Sequence, residues 1–251
     1  MSEDVTQFRR EGGALCYGAG PLRRLQLPLL AGIPGLAHAF TTRDADPEAT
    51  LRQIAGGRPS LFFVRQVHGR AVRTLEDGEP PFSSGSRPEA DAIITRRRDA
   101  AIAVHVADCV PALLCDPKSG LLGVVHAGWR GSLAGVLGEA IKALVTRGAR
   151  TTDLRVGFGP SIGPCCFTVG ADVADSFRNR DPDGASCVID GASPRIDLIE
   201  ANRRQAIRAG IPEDQIAASD LCTVCRPDLL ESYRRSKGSP GRMAGLIAWR
   251  D

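Results

Sequence analysis

A single domain of mixed α+β class spanning residues 1–251 is what the sequence predicts, and three observations lead there. The chain has 251 residues, 43% of them hydrophobic and 24% charged, which is the composition of a globular protein with a substantial core. Its 28 glycines and 17 prolines punctuate short apolar runs in the manner of many strands. Those runs come in groups with helical patterns between them, which is neither a regular βαβ alternation nor an all-β series. No internal repeat, long linker or low-complexity tract divides the chain.

Taken in order, residues 1–20 read as an edge or poorly ordered segment, and Leu36 to Thr41 and Leu61 to Val67 as the first strands. The stretch from Glu76 to Pro88, EDGEPPFSSGSRP, is rich in turn formers and reads as a loop, the best candidate for a mobile element. Ala101–Val106, Ala112–Cys115 and Leu121–His126 follow as three apolar runs, the last two joined by DPKSG, and are expected at the centre of a sheet. Beyond Gly131, apolar residues at Leu133, Val136, Leu137, Ile141, Leu144 and Val145 predict one amphipathic helix, with Ser132 as N-cap and Gly148 as its stop. Leu154–Phe158 reads as a strand, Asp172–Phe177 as the start of a helix, and Pro194–Leu198 as a strand. A helix over Ile199–Ala209, closed by Gly210, and a final strand over Met243–Trp249 complete the pattern.

Thirty-two basic against 29 acidic residues leave a formal charge of +3, spread along the chain, so no basic footprint suited to a phosphate backbone is evident and nucleic acid is not expected as a partner. The polar start MSEDVTQFRREGG lacks the apolar core of a signal peptide, and runs such as Leu121–Ala127 fall far short of the roughly 20 residues that span a bilayer. A cytoplasmic protein without membrane contact, monomeric or weakly dimeric, is therefore expected. In a reducing compartment its eight cysteines point to packing, metal or catalysis rather than to disulfides.

Of the four histidines, His68 in VRQVHG and His126 in VVHAGWRG stand at strand ends, as does Cys109 in VADC. Zinc accepts imidazole nitrogen and thiolate together, and three such ligands leave a fourth position for water, whose pKa falls toward about 7 on binding. The spacing of these three residues matches no short metal-binding pattern, so an ordinary hydrogen-bonded role for each histidine stays open. His105, in VHVADC, reads as a buried or half-buried histidine, and His38 either lines the pocket or caps a strand. Cys165 and Cys166 are vicinal, and Cys222 and Cys225 form CTVC. A four-cysteine zinc knuckle is one reading of them. Vicinal cysteines do not readily share one tetrahedral ion, however, so structural thiols are preferred. Cys16, Cys115 and Cys187 read as packing. Neither GxGxxG nor a P-loop occurs. Arg130 is either a surface charge or a fork for phosphate or carboxylate, and Asp91 and Asp108 are the carboxylates best placed to orient a ligand or move a proton.

The blocks VRQVHG, ADAIIT, VADCVPALLCDP, GVVHAGWRG, GPSIGPCCFTVG and SPGRMAGLI, in this order from His38 to Trp249, resemble the YfiH family, also called the multicopper polyphenol oxidase or laccase-domain family and described as purine nucleoside phosphorylases. The resemblance implies a mixed α/β sandwich, similar in fold to cysteine-nucleophile toxins of the cytotoxic-necrotizing-factor type. It also implies one catalytic zinc held by His68, Cys109 and His126, with copper as an in vitro alternative. The implied activity is phosphorolysis of adenosine, inosine and methylthioadenosine, with adenosine deamination beside it. Arg130 and Arg43 would hold phosphate, and Asp91 or Asp108 would shuttle protons. HAFTTRDADPEA departs from the family's HGFSTR near Arg43. Three rival readings are a cysteine hydrolase using Cys109 with His126 as base, a copper-dependent phenol oxidase, and a binding module with a structural metal. The oxidase needs more histidines than the four present.

Overall fold

In the computed structural model of the chain, residues 8–56, 59–180, 182–239 and 241–250 are described. In chain order the strands are β1 Phe8–Glu11, β2 Ala14–Tyr17, β3 Arg24–Gln26, β4 Leu36–Thr41, β5 Ser60–Phe62, β6 Val72–Leu75, β7 Ala92–Thr95 and β8 Ala100–Val106. They continue with β9 Val110–Asp116, β10 Leu121–Ala127, β11 Arg155–Phe158, β12 Val188–Ile189, β13 Arg195–Ile196, β14 Ile216–Ala218 and β15 Met243–Trp249. The helices are α1 Pro28–Ala31, α2 Pro47–Ala55, α3 Trp129–Ala134, α4 Val136–Thr146, α5 Ala171–Arg180, α6 Leu198–Arg208 and α7 Tyr233–Ser236.

Two sheets carry the fold: β1-β2-β3-β4-β15-β8-β5 and β14-β11-β9-β10-β7-β6. They pack face to face through Phe40, Ile102, Ile247 and Trp249 on one side and Ile93, Leu113, Leu122 and Val124 on the other. Every residue of β4, β9, β10 and β15 is buried, as expected of strands covered on both faces, which read as unbroken apolar runs rather than alternations. On the outer face of the second sheet, Val136, Leu137, Ala140, Ile141 and Leu144 of α4 cover Ile94, Leu114 and Val125. On the outer face of the first, Leu51 and Ile54 of α2 lie over Ala37, Ala39, Ala101, Ala103, Leu246 and Ala248. The result is a sandwich of two sheets with helices outside both. Among the described residues no helix is long and apolar enough to cross a membrane.

The structure redraws several expected elements. Of the 1–20 segment, residues 1–7 lie outside the described residues, and β1 and β2 form an edge of the first sheet. The run expected as one strand from Leu61 to Val67 pairs only over Ser60–Phe62, because from Arg65 onward its backbone turns to meet Pro88 and Glu89. β8 leaves the expected central trio and joins the other sheet beside β15, while β9 and β10 do lie centrally in theirs. The predicted helix after Gly131 is two helices: it starts at Trp129 with Gly128 as N-cap, and Gly135, at φ 79°, breaks it. Ser132 is thus interior to α3, where its hydroxyl accepts from Asn202 of α6. The Pro194–Leu198 strand shortens to Arg195–Ile196, because Asp197 caps α6 by accepting from the Glu200 amide. The DPKSG hairpin forms as expected, with Asp116 accepting from the Lys118 and Ser119 amides and Gly120 at φ 75°.

His38 belongs to this packing rather than to a pocket. It is fully buried in β4, and its Nε2 accepts from the Leu27 amide at 3.0 Å. Burial, with the Arg250 charge adding to it, lowers its pKa from 6.5 to about 3. A folded-state pKa below the unfolded one gives stability that is complete above pH 6.5 and is lost as the pH falls toward 3. At pH 5 this one group is expected to remove about 2 kcal/mol. Urea unfolding at pH 7 and pH 5 checks it: His38→Gln should flatten the loss, and an unchanged slope in that variant would rule His38 out as the cause.

Candidate active site

Three chain segments from different parts of the sandwich meet at one place. The 107–109 turn carries the chain from β8 of the first sheet to β9 of the second. β10 delivers His126 at its end, and the 63–69 segment delivers His68. The ligand atoms of His68, Cys109 and His126 lie within 4.8 Å of one another, and the two imidazoles stand at 76° with centroids 4.8 Å apart. His126 is buried, Cys109 half-buried and His68 exposed.

Asp91 organises this convergence. It is wholly buried, and its Oδ1 accepts from His126 Nδ1 at 2.8 Å and from the His68 amide at 2.9 Å. Its Oδ2 accepts from the Val67 amide at 3.2 Å and the Gly69 amide at 2.7 Å. Burial alone would raise the Asp91 pKa, but the bond from His126 and those amides hold it below the ordinary carboxylate value. With Nδ1–H committed to Asp91, the other nitrogen of His126 carries the free lone pair, the arrangement that a metal-binding imidazole requires.

Two backbone positions store strain beside the ligands. His68 has φ 58° and Asp108 φ 94°, left-handed conformations that ordinary residues seldom adopt. The three amides on Asp91 hold the first. Thr223 Oγ1 donates to Asp108 Oδ1 and the Arg234 amide to Oδ2, which hold the second. Both carboxylates expected to shuttle protons therefore have each oxygen engaged by hydrogen bonds from the protein.

The space between the ligands has a floor of bare backbone. A Cβ built on Gly128 would fall 2.9 Å from Cys109 Sγ and 2.9 Å from His68 Cδ2. Gly128→Ala should therefore displace one or both ligands. Loss of metal at this site with a native far-UV spectrum is the expected result, and full metal retention would show that the floor gives way.

Electrostatics couple Cys109 and His126. Burial pushes the Cys109 thiol up, but hydrogen bonding to His126 and His68 outweighs it and brings the pKa from 9.0 down to about 7. Burial pulls His126 down, but Asp91 and then Cys109 raise it to about 9. The two shifts favour a thiolate facing an imidazolium. Two imidazoles and one thiolate are a donor set that suits zinc, and the Asp91 contact and the Gly128 floor are the supports such a centre needs.

The remaining expected residues are placed as follows. Arg130 follows Trp129 at the start of α3, is exposed, stacks over the Trp129 ring at 4.4 Å and is tied to no described carboxylate. Arg43, expected to hold phosphate, instead donates to the Pro227 carbonyl and lies 3.5 Å from Glu231, so its fork is already engaged. His105 stacks on Phe63 at 4.2 Å, and Arg87 lies over the Phe63 ring at 5.3 Å; burial first, then the charges of Arg242 and Arg87, lower the His105 pKa to about 4. A concavity of about 570 Å³ between Arg70–Val72 and α4, lined by Glu139, Lys142 and Arg147 among others, contains none of the three ligands. Gly128, Thr223 and Arg234 went unassigned in the sequence. Only the glycine left a signal there, in the HAGWRG block.

The sequence pattern of the family described as "Multi-copper polyphenol oxidoreductase laccase" matches residues 45–250. "Purine nucleoside phosphorylase YfiH" of Shigella flexneri is 35% identical over 246 residues, covering 97% of each chain. "Purine nucleoside phosphorylase YlmD" of Geobacillus stearothermophilus is 37% identical over 195 residues, 74% of this chain and 71% of that one. Among solved structures, Bacillus licheniformis YfiH superposes with a TM-score of 0.81 at 27% identity, covering 97% of this chain and 99% of that one. A fold and a sequence pattern shared over nearly the whole length place the chain in the YfiH family of multi-copper polyphenol oxidoreductase laccase proteins.

Proposed function

We propose that the chain is a zinc-dependent purine nucleoside phosphorylase acting on adenosine, inosine and methylthioadenosine, with deamination of adenosine as a side activity. The observation that carries this reading is the convergence of His68, Cys109 and His126 within 4.8 Å around Gly128, backed by Asp91. The names of the relatives supply the reaction class.

Zinc held by the three residues would supply a Lewis acid with one open position. The chain's own groups then divide the remaining work. Asp91 fixes the tautomer of His126 and the turn that carries His68. Asp108, gripped by Thr223 and Arg234, sets the backbone from which Cys109 projects. Arg130, with its fork free and its plane stacked on Trp129, is the group for phosphate. Phosphorolysis joins phosphate to the ribose anomeric carbon as the base departs, so positioning and charge neutralisation provide most of the acceleration. Arg43 is left out of this reading because Pro227 and Glu231 already hold it.

Incubation of the purified protein with adenosine or inosine, with and without phosphate, tests the proposal. Free base released only with phosphate is expected. Inosine formed from adenosine without phosphate would report the deaminase activity alone, and no turnover of either nucleoside would overturn the reading. One observation favours a second reading, Cys109 as nucleophile with His126 as base: the thiol at about 7 beside an imidazole at about 9. Activity that survives a chelator and is lost on alkylation of Cys109 would move that reading to the front. A copper oxidase is poorly served, because His38 is buried in β4 with its Nε2 on Leu27, and neither His38 nor His105 joins the clustered ligands among the described residues.

A further inference from the structure

Four of the other cysteines do not behave as scattered packing thiols. The sulfurs of Cys165, Cys166, Cys222 and Cys225 all lie within 4.8 Å of one another, although 55 residues separate the vicinal pair from Cys222. Cys165 Sγ is 3.7 Å and Cys166 Sγ 3.4 Å from Cys225 Sγ, and all four are free thiols. Four thiolates around one zinc at the usual bond length of ~2.3 Å stand about 3.8 Å apart, close to what is seen. An iron–sulfur cluster would interpose its own atoms and hold the thiolates farther apart.

A second observation points to a ligand in the same place. Cys222 Sγ is aimed at a set of backbone donors: it accepts from the Gly163 amide at 3.3 Å and from the amides of Val224 and Cys225. Amides two and three residues beyond a cysteine, turned onto its sulfur, form the knuckle that a CxxC turn adopts when its first sulfur carries negative charge. Gly163 leaves room for this, since its Cβ would lie 3.3 Å from Cys165 Sγ and 3.3 Å from Cys222 Cβ. Four thiolates on a dication leave a net charge of −2, and two arginines close over the assembly. Arg234 donates to the carbonyls of Cys166 and Thr168, and Arg235 to those of Thr223 and Val224.

We propose that Cys165, Cys166, Cys222 and Cys225 form a second metal site, a closed tetrathiolate centre that takes a single zinc ion and clamps the 161–168 segment to the 221–226 turn. The site is structural, because four protein ligands leave no position for substrate. The preference for structural thiols drawn from the sequence gives way here: the turn from Gly163 to Phe167, closed by the Cys166 and Phe167 amides on the Gly163 carbonyl, brings both vicinal sulfurs to one side. The clamp also bears on the active site, since Thr223, inside the CTVC turn, donates to Asp108 next to Cys109. The inference stands independently of the nucleoside reaction.

Metal analysis of the full chain purified anaerobically tests it, in a Cys109→Ala background that removes the other centre's thiolate. About one zinc per chain is expected to remain, and cobalt exchanged into it should show the strong near-ultraviolet sulfur-to-metal bands of several thiolates. Cys165→Ser, at an exposed position, and Cys225→Ser in that background should each lower the retained zinc and weaken those bands. Folding of each variant is followed by its far-UV spectrum. A natively folded Cys109→Ala protein without zinc, or with a disulfide among the four cysteines, would overturn the proposal. Bands unchanged in both serine variants would overturn it as well.

Discussion

Replacing Cys109 by alanine is expected to abolish nucleoside turnover, lowering phosphate-dependent base release by about a thousand-fold or more, the scale of losing several kcal/mol of charge stabilisation at the reacting centre. The argument is geometric. Cys109 is the only thiolate donor of the triad, and hydrogen bonding to His126 and His68 brings its thiol to about 7, so it is available as a ligand at neutral pH. Two imidazoles alone hold zinc weakly. Alanine here deletes one half-buried sulfur, so the fold should persist and the far-UV spectrum should be unchanged. The measurement is release of hypoxanthine from inosine by wild type and variant at saturating phosphate, with metal content determined on the same samples. A variant that keeps the wild-type rate would discard the metal triad as the reacting centre.

Asp91→Asn should cause a smaller but clear loss without touching substrate. One carboxylate oxygen takes His126 Nδ1 and the His68 amide, and the other takes the Val67 and Gly69 amides. An asparagine must turn its NH₂ toward one of these pairs. Toward the first, it faces His126 as a donor and forces the tautomer that protonates the metal-facing nitrogen. Toward the second, it sets donor against donor in a site with no solvent exposure. A loss of about 10- to 100-fold in metal affinity or activity is the scale for such an orienting partner. Competition with a chromophoric chelator reads the affinity directly, and kcat separates positioning from substrate binding. An affinity within twofold of wild type would show that the turn orients His68 and His126 without the carboxylate's charge.

Local sequence determined more of this protein than its loop-rich appearance suggests. The strand over Leu36–Thr41 and the final strand over Met243–Trp249 have the bounds read from their apolar runs, because full burial on both faces demands unbroken hydrophobicity. The hairpin at DPKSG and the stop at Gly148, φ 100°, follow from turn chemistry that acts over four or five residues. The short partners, such as β6 and β7, left no comparable mark, since strands of four residues draw their stability from neighbours. Gly135 inside an amphipathic pattern hid a helix break that only the backbone shows.

The family blocks identified the triad residues, but tertiary structure decided how they are used. Whether His68, Cys109 and His126 meet depends on how two sheets converge, a long-range arrangement that spacing along the chain does not encode. The same is true of partners. Asp91 and Asp108 looked alike as aspartates near apolar strands, and burial made one the anchor of a histidine and the other the anchor of a turn. Arg43 and Arg130 looked alike as forks, and neighbours far away in sequence engaged the first and left the second free. Composition and periodicity act on each segment through its own burial and turns, whereas a site is built from the contacts between segments, and those exist only once the chain has folded.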